Sequence, residues 1–538
     1  MTTARASIQP YLNQAYLLGL LMVAVGLTLS PFLMGMSQFW LVLVWLVDGA
    51  IAKDFRQKLS RFWHNKAAIA LVAFYLMHVI GLLWTSDFEY AMKDLRVKLP
   101  LLVMPFVLSG MDSLDRKRFD LVMLVYVLSV FVATQFSFVS YIRHNYDDIR
   151  EISHFISHIR FCLNMVFSMA IIGYYLYKRR ISRRKGAPSF GPRIVLDQFL
   201  SWFMLFWFAY VIFIFESLSG YVVLAAVVVV SAVYAFLQWK KSRGWHIAVG
   251  VAALAVIVIG AVAVVHLVRP MLKVEPVDFA SLEKTTAQGN AYWHDTVYNP
   301  VEDGKYVGLY YCKKEMKEAW SQRSNLPFDG TTTNGESLEA TLARYLTSKD
   351  LRKDAQGVMA LTDEDVRNVE QGVANYNNWK HPGLHARLSS TLFEYNLYRR
   401  YNNPNGGSLS QRIEFTRASF HIIRQHPWFG VGTGDVPQAF AQTYDEINSP
   451  LNEEYRFRAH NQYLSIAVAF GLVGLAFFLL VLFYPWLTSK RNHTYLYMVF
   501  LCIMLFSMFP EDTLETQAGA TLFAFFGAFL LFAKPKNE

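Results

Sequence analysis

Apolar runs of span length recur along this chain, interrupted once by a long polar segment. A bilayer span needs about 17–25 mostly apolar residues. Runs of this kind, or close to it, fall at 11–29, 34–52, 67–84, 97–110, 119–142, 160–177, 195–215, 218–238, 245–268, 461–486, 494–510 and 516–533. Pro31 divides the first two, and Pro100 lies in the short fourth. The pattern predicts an all-α polytopic membrane protein with about twelve transmembrane helices and a large helical loop outside the membrane. Residues 1–268 carry nine spans, 269–459 form the loop domain and 460–538 carry the last three. The first run shows no small-residue cleavage site and reads as a retained helix.

The second half of the polar segment has helical spacing. Leu384, Leu388, Leu392 and Tyr395 predict a helix over 384–400. Pro382-Gly383 precedes it, and the turn-forming Asn402-Asn-Pro-Asn-Gly-Gly407 follows. Ser408-Leu-Ser-Gln411 matches a capping box that opens a second helix, ended before His426-Pro427. Short helices near 311–321 and 336–348 are expected in the first half.

Lys and Arg accumulate in cytoplasmic loops. They cluster at 53–66, 116–118, 178–193, 240–243, 490–491 and 534–536. Twelve spans alternate consistently with these clusters, which puts 269–459 outside. One short outer loop breaks the rule with Lys93, Arg96 and Lys98. An anionic ligand would explain basic residues there.

The net charge is +10, yet the 269–459 segment holds 24 acids against 22 bases. The excess therefore sits at the cytoplasmic rim, where topology demands it, and no nucleic-acid partner is implied. The 3 cysteines supply no staple: Cys162 and Cys502 fall in spans, and Cys312 is alone in the loop. No Cys/His cluster has zinc spacing. His154 and His158 share a helix face but have no third ligand nearby. No metal or cofactor is expected.

The candidate chemistry gathers where the polar segment re-enters the membrane. His460-Asn461 is followed, after nine residues, by Gly471 and Gly474. On a regular helix His460, Leu464, Ala467, Gly471 and Gly474 would lie within roughly 40° of one line. Small residues let membrane helices approach closely, so the imidazole is expected to face a helix bundle. An imidazole near its ordinary pKa can take a proton from a hydroxyl. A helix N-terminus and the nearby Arg456 and Arg458 would keep it neutral.

The segment from Ser408 to Gly434, ending His426-Pro-Trp-Phe-Gly-Val-Gly-Thr-Gly434, resembles the loop signature of the O-antigen ligase and polymerase superfamily. The His-Asn-(nine residues)-Gly-x-x-Gly pattern at 460–474 resembles its second signature. The specific motifs cover about 408–474. The resemblance implies a metal-independent integral-membrane glycosyltransferase. Its donor would be an undecaprenyl-pyrophosphate-linked glycan, used outside the bacterial inner membrane. The leading acceptor is lipid A–core. Repeat-unit polymerisation and protein O-glycosylation use the same donor chemistry. A transporter or flippase would need mid-membrane ionisable residues and an internal repeat, and neither is evident.

His460 is then the expected base. Arg412 matches the family's loop arginine and would bind pyrophosphate through its guanidinium fork. Arg160, at the outer start of a span, is a third candidate. Asn461, Arg417, Arg458, Arg96 and Lys98 complete the candidate substrate contacts. Glu511, Asp512 and Glu515 are expected along the outer face, to orient a base or hold acceptor sugars. Gly430-Val-Gly-Thr-Gly434 lacks the lysine of a nucleotide loop and reads as a tight turn that brings backbone close to the membrane helices. Family members also carry a Ser-Arg pair in mid-chain. Here the stretch Glu216-Ser-Leu-Ser-Gly-Tyr221 has no arginine: either Arg160 takes that role or this chain uses fewer cationic contacts.

Overall fold

The computed structural model describes residues 2–143, 152–153, 155–184, 198–215, 217–239, 243–405, 407–488 and 494–533. The protein is an all-α polytopic membrane protein. Among the described residues the only sheet pairs Val301–Glu302 with Lys305–Tyr306. Eight helices among the described residues are long and apolar enough to span: Ile8–Leu29, Pro31–Ala52, Lys66–Trp84, Arg116–Arg143, His158–Ile181, Leu218–Phe236, Gly250–Leu272 and Gln462–Thr488. Gln198–Ile214, Tyr495–Ser507 and Gln517–Phe532 are apolar but shorter.

The expected span at 97–110 divides in two. Phe88–Lys98 is an amphipathic helix, and Pro100 starts a separate 11-residue helix, Pro100–Gly110. Proline is well placed at a first helical position because its missing N–H would have no partner there. Asp87 caps the first of the pair by accepting from Tyr90 N. The amphipathic helix buries Asp94 and Lys98 and exposes Phe88, Met92 and Arg96.

Inter-helix packing mixes aromatic and small polar contacts. Phe119 stacks on Phe529 with centroids 4.8 Å apart. Thr28 bonds Ser129, and Tyr126 bonds Asn164. On Gly250–Leu272, Val251, Leu254, Val258, Ile259, Val262 and Val265 are exposed. Such a helix is tolerable only where hydrocarbon replaces water.

The long polar segment has two parts with different cores. Met316, Trp320, Leu342, Leu346, Val358 and Val369 form a core of their own. Phe415, Ala418, Ile422, Phe440 and Tyr444 instead join the core of the apolar helices. The expected short helices are present at Lys313–Arg323 and Leu338–Ser348. The 384–400 helix runs Leu384–Tyr401, and the next runs Ser408–Gln425.

The capping box at Ser408 does not form. Gly407 is the cap residue and makes no side-chain bond. Glu394 of the preceding helix accepts from Ser408 N at 3.0 Å instead. A tertiary carboxylate thus does the work that the local motif offers, and it ties the two helices together.

Candidate active site

Helix Gln462–Thr488 is broken at Gly471, where φ is 66° and ψ is −167°. Only glycine occupies this region without strain. A break strands carbonyls before it and N–H groups after it, and each needs a partner. The segment 427–432 supplies them. Val431 N and Gly432 N donate to Val468 O and Ala469 O at 3.0 and 2.9 Å. Leu472 N and Val473 N donate to Pro427 O and Trp428 O at 2.8 and 3.3 Å. A Cβ on Gly430 would lie 2.4 Å from Ala469 backbone. The glycine run therefore admits close backbone approach, as its composition suggests. Thr433 Oγ1 further donates to His78 O, and Asp435 accepts from Ser86 N and Asp87 N. One short segment thus fastens helix Ser408–Gln425 to three other elements.

The break corrects the expected small-residue face. His460 precedes the helix, with φ 45°, and Gly471 interrupts it, so no single helical line joins them. Asn461 caps the helix, accepting from Leu464 N at 3.0 Å and donating to Phe509 O at 2.9 Å. The imidazole is held by rings. Phe415 stacks on it (5.4 Å, 27°), and Phe457 meets it edge-on (6.0 Å, 88°).

The turn 508–516 completes the site. Gln462, fully buried, anchors it three ways. Its N–H donates to Met508 O, its Oε1 accepts from Leu514 N, and its Nε2 donates to Glu515. Glu511 Oε2 then lies 3.9 Å from His460 Nδ1, and Glu511 Oε1 lies 3.1 Å from Arg412 Nη2. Arg458 reaches Tyr90 OH at 2.9 Å, Glu515 at 3.3 Å and Asp512 at 3.5 Å. The arginines flanking His460 are thus compensated, since Arg456 also pairs with Asp445 at 2.6 Å. The charged group that meets the imidazole is the Glu511 carboxylate.

Two neighbouring acids are pushed apart. Burial raises Glu511, but His460, Arg412 and Arg160 outweigh it and hold its carboxyl below the usual range. For Asp512 burial dominates over Arg458 and His460, and its carboxyl is pushed up. Adjacent groups separated in this way are a mark of functional sites.

These side chains line an open cavity of about 950 Å³. Tyr90, His158, Arg160, Arg456, Phe457, Arg458, His460, Glu511 and Asp512 all face it. Arg160 stands out. It makes no ion pair among the described residues, and its Nε is buried without a hydrogen-bond partner. Arg412 reaches the site through Glu511 and is not itself in the lining.

Other candidates lie elsewhere. Arg417 is half exposed and bonds Ile447 O and Glu414. Arg96 is exposed, away from the cavity. Lys98 is fully buried beneath it, with Nζ held by Asp94 at 2.5 Å and Glu515 at 2.6 Å. His154 and Glu216 lie outside the described residues.

His460, Glu511 and Asp512 bring three possible ligand atoms within 4.8 Å of one another. Sequence spacing hides this group because the acids lie some fifty residues from the histidine. Arg412 and Arg458 already contact the two carboxylates. Two arginines thus face the two acids of this group. Tyr90, Gln462 and Phe457 were also illegible in sequence, since no motif marks them.

Residues 382–479 match the family model described as O-antigen ligase. The match runs from helix Leu384–Tyr401 through the glycine segment, His460 and the helix break. A search of curated proteins found no match.

Proposed function

We propose, from the O-antigen ligase segment at 382–479 and the cavity it lines, that this chain transfers a glycan from an undecaprenyl-pyrophosphate carrier to a hydroxyl of lipid A–core. The reaction takes place at the periplasmic face of the inner membrane. The observation that carries the reading is Arg160: an arginine without an ion pair among the described residues, in a cavity that also holds His460 and Glu511.

A leaving pyrophosphate concentrates negative charge, and guanidinium binds phosphate oxygens through paired hydrogen bonds. Arg160 takes the pyrophosphate, with Arg458 beside it. Arg412 engages it by exchanging Glu511 for a phosphate oxygen. The acceptor hydroxyl attacks the anomeric carbon. A new C–O bond forms there as the bond to the pyrophosphate oxygen breaks, and the bonding pair leaves with the phosphate. The hydroxyl proton passes to His460. Glu511 faces Nδ1 and steadies the imidazolium, which leaves Nε2 to receive the proton, in the manner of a carboxylate–imidazole pair. Hydrogen bonds of this kind are often long before substrate arrives. Arginines supply the charge stabilisation that a metal supplies elsewhere.

The test uses purified protein, polyprenyl-pyrophosphate-linked glycan and unsubstituted lipid A–core. Wild type should yield substituted lipid A–core. His460→Ala should lose roughly 10²- to 10⁴-fold in rate while still binding donor. A deletion strain should lack long chains on lipid A–core and accumulate carrier-linked polymer. Undiminished transfer by a normally folded His460→Ala protein would overturn the mechanism. Single-repeat capping in the deletion strain would assign polymerisation instead.

A further inference from the structure

Phe457 is the one large aromatic side chain beside His460 whose ring is left open. It is 49 % exposed and lines the cavity, whereas Phe415, on the other side of the imidazole, is 2 % exposed. Its backbone is fixed: Tyr444, fully buried, donates from its hydroxyl to Phe457 O at 2.6 Å. Its ring is braced edge-on by Phe415 at 6.2 Å and by His460 at 6.0 Å. A half-open aromatic ring fixed in a cavity otherwise rich in charged groups offers a ligand one flat apolar face. Its neighbours say which kind of ligand. Glu453 and Asp445, the latter paired with Arg456 at 2.6 Å, bring carboxylates to the same lining, together with Pro437 and Ala441. Carboxylates accept hydrogen bonds from hydroxyls and repel phosphates. This wall belongs to the 436–457 segment, while Arg160 and His158 come from the start of helix His158–Arg184.

We propose that Phe457 is the stacking platform for the acceptor: the apolar C–H face of an uncharged pyranose lies on the ring, which sets one of its hydroxyls against His460. Asp445 and Glu453 take neighbouring hydroxyls. The acceptor class is then a neutral sugar terminus. The inference rests on the proposed transfer reaction and names the acceptor's recognition.

The test varies lipid A–core at saturating donor for wild type, Phe457→Leu, Phe457→Tyr and Phe457→Trp. Phe457→Leu keeps apolar bulk but loses the flat face. It should raise the acceptor KM about 10- to 100-fold, equivalent to about 1.4–2.8 kcal/mol, with donor KM within about twofold. Tyr and Trp should restore the acceptor KM. A leucine variant with unchanged acceptor KM would overturn the inference, since the ring would then be packing only. So would a fall in kcat shared by all three variants with the acceptor KM unchanged, which would mark a brace for His460 and nothing more. Calorimetry with donor-free core oligosaccharide should show binding that Phe457→Leu weakens and Phe457→Trp retains. Failure of the transfer reading is separate: it would show as wild-type protein that consumes no donor.

Discussion

Gly471→Ala is the substitution whose cost the geometry defines best. A Cβ there would lie 2.2 Å from Trp428 C, 2.3 Å from Trp428 O and 2.5 Å from Phe429 N. These are backbone atoms, so no rotamer change relieves the contact. At φ 66° and ψ −167° the alanine also carries about 1–3 kcal/mol of backbone strain. Moving segment 427–429 away would break the Leu472–Pro427 and Val473–Trp428 hydrogen bonds, at roughly 1 kcal/mol each. The sum is on the order of 3–5 kcal/mol. Gly173→Ala is the control. Nothing lies within 4 Å of its Cβ position, and replacing a helical glycine should stabilise by up to about 1 kcal/mol. Unfolding in detergent micelles, followed by tryptophan fluorescence, measures both. Transfer activity should fall with Gly471→Ala because the glycine segment links the Arg412 helix to the His460 helix. Equal unfolding midpoints for the two variants would refute the view that the break is held by segment 427–432.

Arg412→Lys keeps the charge but loses the guanidinium fork. Donor turnover should drop at least tenfold with normal insertion, and wild-type turnover would remove Arg412 from the site. Lys98→Met leaves Asp94 buried without its cation and Glu515 with Arg458 alone. Breaking a buried pair costs about 3–5 kcal/mol, so unfolding should come earlier while the KM for donor in the residual folded protein stays unchanged. Activity should persist in excess chelator, because arginines offset the two carboxylates. Loss in chelator and recovery with magnesium or manganese would assign the His460–Glu511–Asp512 group to a metal. Glu511 is held below the usual carboxyl range. A depressed carboxyl stabilises the fold above its unfolded pKa, about 4.3, and loses that contribution as pH falls through its lower folded value. Wild type should therefore lose thermal stability relative to Glu511→Gln only below about pH 4.3, as read from melting midpoints between pH 7 and 3.

The apolar runs determined the class, because a bilayer demands long helices with every backbone group satisfied internally. Local turn chemistry likewise made helices 384–401 and 408–425 legible to within a residue. The motif around His460 pointed to a base, and that residue falls within the matched segment 382–479. Tertiary structure decided the rest. A carboxylate from another helix replaced the local cap at Ser408. Gly471 turned an apparently continuous helical face into a break, because an i, i+3, i+4 pattern carries no record of which backbone will pass beside it. Lys98, read as an outward cation, is neutralised by Asp94 and by Glu515, 417 residues away. Glu511 comes to His460 only because Gln462 pins the 508–516 turn. Periodicity reports which face of an element is apolar. Pairings between charges far apart in the chain depend on how those faces are assembled, and no local pattern encodes that.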